Sequence, residues 1–496
     1  MTAATAQATT SAIASSSSPS ALDIIIMAAG KGTRMKSRTP KVLQRLAGRP
    51  LLWHVLDQAA SLQARRVVVV TGHGATEVEA STAGAAGARG AFDLKFVRQE
   101  PQLGTGHAVQ QAVPALAGDG TVVVLSGDVP LTRADTLAAL VDASRPDAAQ
   151  PARLALLTVT LADPTGYGRI VRGADGAVQG IVEHKDASEA QRAIDEVYSG
   201  IMAVPAPLLA GWLARLSNDN AQGEYYLTDI VAMAVADGVP VVGHRIPDAL
   251  QVAGVNSPLQ LAELERAHQL TQARALMEQG VRLADPARFD LRDDPRTGAR
   301  GQLVCGQDVE IDVNAVFTGR VELGEGVRIG ANCCIANAAI AAGAVIHPYT
   351  HIDGERAGVQ VGEGALIGPF ARLRPGAELG REVHIGNFVE VKNSTLADGA
   401  KANHLAYLGD ATVGERVNYG AGSITANYDG ANKHRTVIEA DVHVGSNCVL
   451  VAPVTIGAGG TVGGGSTITK STPPGSLSVA RGKQIVKEGW QRPAKA

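Results

Sequence analysis

A short segment near the start of the chain has the residue types that bind phosphate groups. The apolar run at residues 23–27 leads into Gly30-Lys31-Gly32-Thr33-Arg34-Met35, and Lys41 follows Pro40. Glycines let backbone N–H groups approach an anion, and lysine or arginine can neutralise a polyphosphate. The segment is not a P-loop, because no Gly-Lys-Ser/Thr closes it, and Met35 occupies the last glycine position of a dinucleotide-binding motif. We interpret it as a polyphosphate cradle, with a purely structural glycine turn as the alternative.

A carboxylate and an amide could hold a metal ion near this cradle. Asp128 follows the apolar run at residues 122–125, at the point where a strand would end. Mg²⁺ prefers oxygen ligands, and an aspartate at this edge of a sheet would meet nucleotide phosphates. Asn256 directly precedes Ser257, which with Gln260 predicts a helix N-cap and capping box. Capping accounts for Ser257 but not for Asn256, and the alternative for Asp128 is an ordinary turn residue.

These residues need a sheet to position them, and the first half of the chain predicts one. Apolar runs at residues 23–27, 67–71, 122–125 and 154–159 alternate with helical stretches. Such runs are typical of buried parallel strands, and their alternation with helices predicts a doubly wound sheet. Ligands of these sheets bind beyond the carboxyl ends of the strands, where Asp128 and the glycine-rich segment lie. We therefore predict a Rossmann-like α/β domain with a nucleotide site at this edge.

The second half of the chain has a different architecture. Residues 301–496 hold 31 of the 57 glycines, and apolar residues recur there at intervals of six. This repeat is typical of a parallel β-helix, in which each short strand places one apolar side chain inward and a small residue turns the corner. Bulky aromatic residues are not expected inside so narrow a coil. Polar interruptions at residues 353–360 and 427–435 predict loops that leave the solenoid and carry function. The repeated positions are Ile311, Phe317, Leu323, Ile329, Ile335, Val361, Ile367, Leu373, Leu379, Ile385, Val391, Ile438, Val444, Leu450, Ile456, Val462 and Ile468.

Composition restricts the class of protein. The chain has 45 Lys and Arg against 48 Asp and Glu, so no general field attracts nucleic acid or anionic lipid. Its 4 cysteines include no Cys-x-x-Cys pair, which favours reduced thiols and argues against a zinc site. The first twenty residues lack the charged region of a secretory signal, and no apolar run reaches the roughly 20 residues of a membrane span. We expect a cytoplasmic protein that binds neither nucleic acid nor membrane.

Several blocks of the first half resemble sugar-1-phosphate nucleotidyltransferases. The matching segments, in the order that the family has them, are residues 28–35, 40–43, 102–106, 126–130, 166–170, 183–185 and 223–226. The resemblance implies that Asp128 and Asn256 hold Mg²⁺ and that Arg34 and Lys41 neutralise the triphosphate during catalysis. The nucleotide contacts that it implies are Met27, Ala28, Ala29, Gly30, Lys41, Gln99, Gly104, Thr105, Ser126, Gly127 and Asp128. Those to the sugar phosphate are Gly168, Glu183, Tyr198 and Asn256.

Two positions depart from the pattern of this family. Tyr198 stands where the family usually has an asparagine on the sugar, so the sugar contact there is open. Ser126 replaces a frequent aromatic residue.

The second half resembles the acetyltransferase domain of the bifunctional N-acetylglucosamine-1-phosphate uridylyltransferases and glucosamine-1-phosphate acetyltransferases. The matching segments are residues 369–375, 386–390, 403–410 and 427–430. The resemblance implies a left-handed parallel β-helix that assembles into a homotrimer, with the coenzyme site between subunits. It covers nearly all of the chain from residue 21 onward.

His404 is the candidate general base of this second half. An amine that attacks a thioester must lose a proton, and imidazole titrates close enough to neutral pH to accept it. His347, His351 and His384 are interpreted instead as surface or corner histidines. The resemblance implies that the sugar phosphate contacts Arg374, Lys392, Tyr407 and Asn418. It implies that acetyl-CoA contacts Ala421, Asn427, Tyr428, Ser446, Gly464, which replaces an alanine, and Arg481, which lies in a basic tail.

These comparisons predict the domain boundaries and the activity. We expect a disordered tail over residues 1–20, a nucleotidyltransferase domain over 21–255, a linker with a long helix over 256–300, and the β-helix with a C-terminal tail over 301–496. The resemblance implies that the enzyme acetylates glucosamine-1-phosphate with acetyl-CoA. It would then transfer UMP from UTP to N-acetylglucosamine-1-phosphate, supplying peptidoglycan and lipopolysaccharide synthesis. The alternatives are a nucleotidyltransferase whose solenoid only assembles trimers, and an inactive regulatory or scaffold subunit.

Overall fold

The computed structural model describes residues 21–87, 92–146 and 151–492. The predicted disordered tail therefore lies outside the described residues. The chain divides into two compact units, the first formed by residues up to 46 with 50–264 and the second by 47–49 with 265–496. Within the described residues, no helix is both long enough and apolar enough to span a membrane.

Among the described residues, the first unit is built on a sheet of nine strands, which are β1 (Leu22–Ala28), β4 (Arg66–Thr71), β5 (Asp93–Arg98), β6 (Thr121–Ser126), β7 (Leu154–Thr160), β8 (Arg169–Arg172), β9 (Val178–Val182), β10 (Glu196–Pro205) and β11 (Val241–Ile246). Their order is β11-β7-β10-β6-β1-β4-β5, and β8 and β9 form an antiparallel extension beside β10. Strands β2 (Arg45–Leu46) and β3 (Arg49–Pro50) form a separate two-stranded sheet. The helices of this unit are α1 (Leu51–Ser61), α2 (Ala75–Gly87), α3 (Thr105–Ala112), α4 (Ala134–Ser144), α5 (Glu189–Arg192), α6 (Ala206–Leu213) and α7 (Asp229–Ala236). Helix α8 (Pro258–Glu278) begins in the first unit, and its Ala273 and Leu276 belong to the core of the second.

The central strands of this sheet carry apolar side chains on both faces, so each face is covered by helices. In β1, Ile24 and Ile26 enter one core, whereas Ile25 enters the core on the opposite face. The predicted strands and the Rossmann-like α/β class are therefore confirmed. One strand differs from a wholly parallel sheet, since β10 runs antiparallel to both β6 and β7. The carboxyl ends of β1 and β6 lie side by side, with Met27 paired to Ser126, and the loops that follow them form the edge of a cavity.

The second unit is a solenoid whose described strands all pair in parallel, which confirms the predicted parallel β-helix. Every position of the predicted six-residue repeat is at most 5% exposed. Strands of the first face are Arg282–Leu283, Glu310–Ile311, Arg328–Ile329, Val345–Ile346, Leu366–Ile367, His384–Asn387, Lys401–His404, Asn418–Tyr419, His443–Val444, Thr461–Val462 and Leu477–Ser478. Those of the second are Phe289–Arg292, His351–Asp353, Arg372–Leu373, Glu390–Lys392, Tyr407–Gly409, Ile424–Ala426, Val449–Val451 and Thr467–Ile468. Those of the third are Gln302–Cys305, Val359–Val361, Ala377–Leu379, Ser394–Leu396, Ala411–Val413, Thr436–Ile438 and Val454–Ile456, while Ala315–Leu323 and Cys334–Ile340 run through the second and third faces.

The expectation that no bulky aromatic residue enters the coil is wrong. Phe289 and Phe317 are buried in the first coils with their ring centroids 5.7 Å apart, and Tyr419 is buried several coils later. At Tyr419 the preceding coil offers space, because its strand pairs this residue with the small Ala402. Burial raises the pKa of Tyr419, and its hydroxyl has no hydrogen-bond partner in the described part of the chain.

Replacing Tyr419 with phenylalanine is therefore expected to stabilise the solenoid. A buried polar group without a partner costs about 1–3 kcal/mol, so removing this hydroxyl is expected to raise the free energy of unfolding by about 1 kcal/mol. The measurement is the denaturant midpoint of the purified variant. Tyr428→Phe is the control, because the exposed Tyr428 hydroxyl already donates to the carbonyl of Gly430. A midpoint that falls in Tyr419→Phe would contradict this account.

Helix α8 begins as the sequence predicts, with one difference at its first turn. The Ser257 hydroxyl accepts from the backbone N–H of Gln260 at 3.2 Å, as an N-cap does. The Gln260 side chain, however, accepts from the backbone N–H of Asn256 at 2.9 Å rather than from that of Ser257. This bond holds the backbone of Asn256 immediately ahead of the helix. After α8, strands Arg282–Leu283 and Phe289–Arg292 pair with later strands of the solenoid, so its sheets already include chain that precedes residue 301.

Candidate active sites

A cavity of 290 Å³ opens at the carboxyl ends of β1 and β6, and nearly all of the predicted nucleotide contacts line it. Gly127 is not part of the lining, but its backbone N–H donates to Met27 at this edge. Arg34 does not line the cavity either, because it lies in the short 3₁₀ turn Thr33–Met35 with its side chain exposed. The predicted residues that do line the cavity are Met27, Ala28, Ala29, Gly30, Lys41, Gln99, Gly104, Thr105, Ser126 and Asp128.

The glycine at position 32 is required by the approach of the lysine. Gly32 has a φ of 59°, in the left-handed region, and a Cβ there would come within 2.7 Å of the Lys41 Cβ. The turn therefore carries Lys41 toward the cavity only if residue 32 has no side chain.

The ammonium group of Lys41 lies between the two predicted metal ligands. Its Nζ donates to Oδ2 of Asp128 at 2.5 Å and to Oδ1 of Asn256 at 3.1 Å. The backbone adds a further tie, because the N–H of Val255 donates to the carbonyl of Asp128 at 3.0 Å. Asp128 and Asn256 are thus brought to one point although they are far apart in the sequence. The side chains of Lys41 and Asp128 are about 15% exposed there.

This geometry fits a divalent cation. The two oxygens already converge on a positive charge, and oxygen donors are those that Mg²⁺ prefers. Mg²⁺ is commonly bound by one or two protein groups together with substrate phosphates rather than by an all-protein cage. In agreement, no group of three or more His, Cys, Asp or Glu residues suited to a metal occurs among the residues that the structure describes.

A second cavity, of 210 Å³, adjoins the first through Met27, Thr105 and Ser126. Gly168, Glu183 and Tyr198 line it, as the prediction of a sugar-phosphate site requires, whereas Asn256 does not. Tyr198 is enclosed, and its hydroxyl has no hydrogen-bond partner among the described residues. Burial, with Glu183 nearby, raises the pKa of this hydroxyl well above its usual value.

Glu183 is the acidic group of the second cavity. The Thr228 hydroxyl donates to its Oε1 at 3.0 Å, but burial outweighs this bond and raises the pKa of the carboxyl. A carboxyl with a raised folded-state pKa favours folding while it is protonated, and this contribution is lost as the pH rises through that pKa. At neutral pH the Glu183 carboxylate therefore destabilises the folded unit.

Glu183→Gln is accordingly expected to raise the melting temperature at pH 7. The gain should disappear below about pH 4, where the carboxyl is protonated in both the folded and the unfolded chain. Glu196→Gln is the matched control, because the paired Arg172 lowers the pKa of that buried carboxyl and the same change should lower the melting temperature at pH 7. Equal shifts in the two variants would contradict this account.

In the second unit, His404 stands at the corner between the first and second faces of the solenoid. Its exposed ring is held from one side, since Nδ1 lies 3.0 Å from Oδ1 of Asn387 on the preceding coil. Because an amide oxygen can only accept, Nδ1 carries the hydrogen and Nε2 of the neutral ring is left as an acceptor. This is the protonation state that a general base needs.

The residues that stack above His404 at this corner are small. Along this corner, a backbone N–H of each coil donates to a backbone carbonyl of the coil before it, which places one residue of each coil in line. These bonds run from Leu405 to Asn387, from Gly422 to His404, from Asn447 to Ala421 and from Gly465 to Ser446. Ala421, Ser446 and Gly464 thus form an open line above the histidine. Arg481 adjoins its end, with Nη1 donating to the carbonyl of Gly464 at 2.7 Å. Four of the predicted coenzyme contacts are brought together.

The residue that comes next in the sequence at this corner is bulky and apolar on the coil of His404 and on the coils before it. Tyr349, Phe370, Phe388 and Leu405 are 47–62% exposed, and each has a φ between 49° and 61°. The first three rings stack with centroid distances of 5.0 and 5.3 Å. We call these four residues the apolar corner. Side chains of this size are uncommon in the left-handed region.

The predicted phosphate contacts lie on the second face, where a third cation joins them. Lys433 lies beside Lys392, and its proximity, with burial and the nearby Arg374, lowers the pKa of the Lys392 ammonium. Nη1 of Arg374 also donates to Glu390 at 2.8 Å, and the strand of Glu390 pairs with that of Tyr407. Three cations gathered in this way suit a dianionic phosphate.

The interruption at residues 427–435 is a loop that leaves the solenoid after the second face. Asn427 is buried and donates to Asp410, while Tyr428 is exposed. Asp429 fixes the turn, because it accepts from the backbone N–H groups of Ala431 and Asn432 and lies 2.6 Å from Nε2 of His434. The loop thereby brings Lys433 to the phosphate contacts.

Asn418 is the one predicted sugar contact that the structure keeps apart. It lies on the first face, on a strand paired with those of Lys401 and His443, whereas Arg374, Lys392 and Tyr407 belong to the second face. A single chain therefore does not gather all four.

Three contributors were missed by sequence reasoning. Asn387 meets His404 only because coils stack at a spacing of 17 residues, and Lys433 reaches Lys392 through a loop of 9 residues. Gln260 was assigned to capping, yet it holds Asn256. The six-residue repeat gave no direct signal for Asn387, because three repeats make 18 residues and would place Gly386 rather than Asn387 below His404.

A Rossmann-like unit in which a lysine, an aspartate and an asparagine meet at the carboxyl edge of the sheet, followed by a β-helix with a histidine at its corner, defines a nucleotidyltransferase joined to a hexapeptide-repeat acyltransferase. Comparison with known proteins agrees. Residues 24–171 match the MobA-like NTP transferase domain, and residues 358–393 match the bacterial transferase hexapeptide family of six repeats.

Relatives match over nearly the whole chain. The bifunctional protein GlmU of Paracidovorax citrulli is 86% identical over 477 residues, which cover 96% of this chain and 99% of the relative. Those of Polaromonas naphthalenivorans and Albidiferax ferrireducens are 74% and 72% identical, covering 96% of this chain and 98% and 100% of the relatives. The chain belongs to the GlmU family of bifunctional proteins. It is a bifunctional transferase, with uridylyltransferase and acetyltransferase activity in the synthesis of UDP-N-acetylglucosamine.

Proposed function

We propose that the first unit binds UTP in the 290 Å³ cavity and N-acetylglucosamine-1-phosphate in the adjoining cavity. The observation that carries this assignment is the convergence of Lys41, Asp128 and Asn256 at the edge of the first cavity. Glycine-rich backbone and a lysine suit the triphosphate, and the uncharged wall at Gln99, Gly104 and Thr105 suits a base.

Transfer of UMP then requires the acceptor phosphate to approach the α-phosphorus of UTP as pyrophosphate leaves. Lys41 neutralises charge on the triphosphate, and Arg34, exposed on its turn, is proposed to join it once the nucleotide is bound. Glu183 and Gly168 would orient the sugar. Asp128 and Asn256 would hold Mg²⁺, which, when bound, supplies positive charge to the phosphates and orients them.

The second unit is proposed to acetylate glucosamine-1-phosphate. Arg374, Lys392 and Lys433 would bind the phosphate, with Tyr407 beside the sugar. Nε2 of His404 would take the proton of the attacking amine, as a bond forms from its nitrogen to the acetyl carbon and the carbon–sulfur bond of acetyl-CoA breaks. Coenzyme A leaves as the thiolate and is protonated. The open line of Ala421, Ser446 and Gly464, with Arg481 at its end, would accommodate the coenzyme beside Asn427 and Tyr428.

Acetylation is proposed to come first, because the acceptor of the uridylyl transfer carries the acetyl group. The product would serve the synthesis of peptidoglycan and lipopolysaccharide in the cytoplasm. We also propose that residues 21–255 and 301–496 act as the two catalytic domains, joined by residues 256–300. The test is to assay both half-reactions on the purified chain. If no coenzyme A is released from acetyl-CoA in the presence of glucosamine-1-phosphate, the alternative of a nucleotidyltransferase with a purely structural solenoid stands.

We propose that the chain works as a homotrimer. The apolar corner supports this, because exposed stacked side chains of this size are typical of surfaces covered by a partner. The separation of Asn418 from the other sugar contacts supports it too, since the first face of a neighbouring copy could supply the residue. A mass in solution equal to that of one chain would refute the assembly.

A further inference from the structure

The carboxamide of Gln99 is held on two sides in the wall of the proposed nucleotide cavity. Gln99 follows β5, is 3% exposed, and donates its backbone N–H to the carbonyl of Thr71 at 2.8 Å. Its Nε2 lies 2.8 Å from the carbonyl oxygen of Gly104 and 3.2 Å from Nδ1 of His107.

These two contacts fix which end of the amide faces the cavity. A carbonyl oxygen only accepts, so the atom facing Gly104 must be the NH₂ group. With one N–H on Gly104, the second points to Nδ1 of His107, which is then the unprotonated nitrogen of a neutral ring. The other nitrogen, Nε2, lies 3.2 Å from the side-chain amide of Gln111 and carries the hydrogen, so that amide must turn its oxygen toward it. The remaining oxygen, Oε1 of Gln99, has no donor among the described residues and is left for a ligand in the cavity.

His107 is itself held firmly although it does not line the cavity. It lies in the first turn of α3, and its ring centroid is 6.3 Å from that of Tyr225. The segment of Tyr225 is tied to the same turn, since Gly106 donates to the carbonyl of Tyr225 at 2.8 Å and Tyr225 donates to that of Leu103 at 2.9 Å. A side chain at residue 104 would collide with this segment, because a Cβ there would lie 2.6 Å from the Tyr225 carbonyl oxygen.

We propose that His107 is a positioning residue that selects the nucleotide base, an inference that rests on the proposed nucleotide site. By accepting an N–H of Gln99, it keeps Oε1 turned to the cavity, so that the base must offer a ring N–H. Uracil has that donor at N3, whereas the N3 of cytosine carries a lone pair that repels Oε1. Turning the amide around would lose both N–H bonds, whereas without His107 only the bond to Gly104 opposes the rotation that presents NH₂, which cytosine accepts. The side chain thus acts on specificity through Gln99 without touching the nucleotide.

The test compares UTP and CTP as donors in variants of His107. His107→Phe keeps an aromatic ring beside Tyr225 but removes both ring nitrogens, whereas His107→Asn offers an amide oxygen in place of Nδ1. We expect the ratio of kcat/KM for UTP over CTP, from pyrophosphate release, to fall at least about 10-fold in His107→Phe, since an unpaired polar group typically costs about 1–3 kcal/mol. His107→Asn is expected to restore most of the ratio. Thermal unfolding followed by circular dichroism reports whether the first unit of each variant is folded, and His107→Ala replaces the phenylalanine variant if it is not.

Gln99→Ala separates this inference from the site on which it rests. If that variant weakens UTP binding in calorimetry while His107→Phe and His107→Ala keep the wild-type ratio, the role of His107 is wrong and the nucleotide site stands. If Gln99→Ala binds UTP as the wild type does, both assignments are overturned. A ratio that falls in His107→Phe but is not restored in His107→Asn would also overturn the proposal, because a merely structural role would produce it.

Discussion

His404→Ala is expected to abolish acetyl transfer from acetyl-CoA to glucosamine-1-phosphate while leaving UMP transfer unchanged. Asn387 holds the ring so that only Nε2 can receive the proton, and no other histidine shares this corner of the coil in the described chain. Loss of a positioned general base typically costs on the order of 10²–10⁴ in rate. The measurement is the release of the coenzyme A thiol, followed continuously at saturating substrates.

The control for this variant lies on the neighbouring strand of the first face. His384→Ala removes an outward imidazole whose strand pairs with that of Lys401, three residues before His404, and it is expected to keep normal acetyl transfer. Uridylyl transfer with N-acetylglucosamine-1-phosphate as acceptor should be normal in both variants. A His404→Ala enzyme with more than about a tenth of the wild-type acetyl transfer would refute the assignment, because a lost base costs at least about 10²-fold.

Asp128→Asn is expected to have the opposite effect, with UMP transfer lost and acetyl transfer retained. The change keeps the size of the side chain but removes the negative charge that meets Lys41 at 2.5 Å and that would attract the divalent cation. Removing one element of transition-state charge stabilisation typically costs on the order of 10²–10³ in kcat. The measurement is Mg²⁺-dependent pyrophosphate release from UTP.

Asp119→Asn provides the comparison for this second variant. Asp119 is an exposed carboxylate paired with Arg65, outside the residues that line either cavity, so its loss should leave UMP transfer unchanged. Titration with Mg²⁺ adds a second readout, since the Asp128 variant should need a higher concentration for whatever activity it retains. Normal Mg²⁺ dependence in Asp128→Asn would exclude this carboxylate as the metal ligand.

Local patterns predicted most of the fold because they reflect burial directly. The run Ile24 to Ile26 has no polar position, and a strand covered by helices on both faces requires that. The six-residue period predicted the inward side chains of the solenoid for the same reason. What the patterns could not predict depends on packing between distant positions: the tolerance of the coil for Tyr419, and the antiparallel course of β10.

For the candidate sites, too, local patterns predicted some residues, whereas others depend on contacts between distant positions. Lys41, Asp128 and Asn256 were each marked by their local setting, and the structure brings them to one point. The contributions of Asn387 and His107 rest on hydrogen bonds between side chains, whose direction is set by neighbours on other turns. Arg34 illustrates the opposite error, since a position within a motif does not establish that its side chain faces the cavity.

The corner of the solenoid has a consequence for the length of what it can hold. Coils repeat at the strand spacing of about 4.8 Å, and one residue per coil decides whether the corner is filled or open. It is filled up to Leu405 and open from Gly422 onward, through Asn447 and Gly465. The groove along this corner therefore changes length by whole coils. Adding or deleting one coil with a small corner residue would lengthen or shorten it by one strand spacing and leave His404, the proposed general base, unchanged. The number of coils with a small residue at this corner therefore sets the length of the groove.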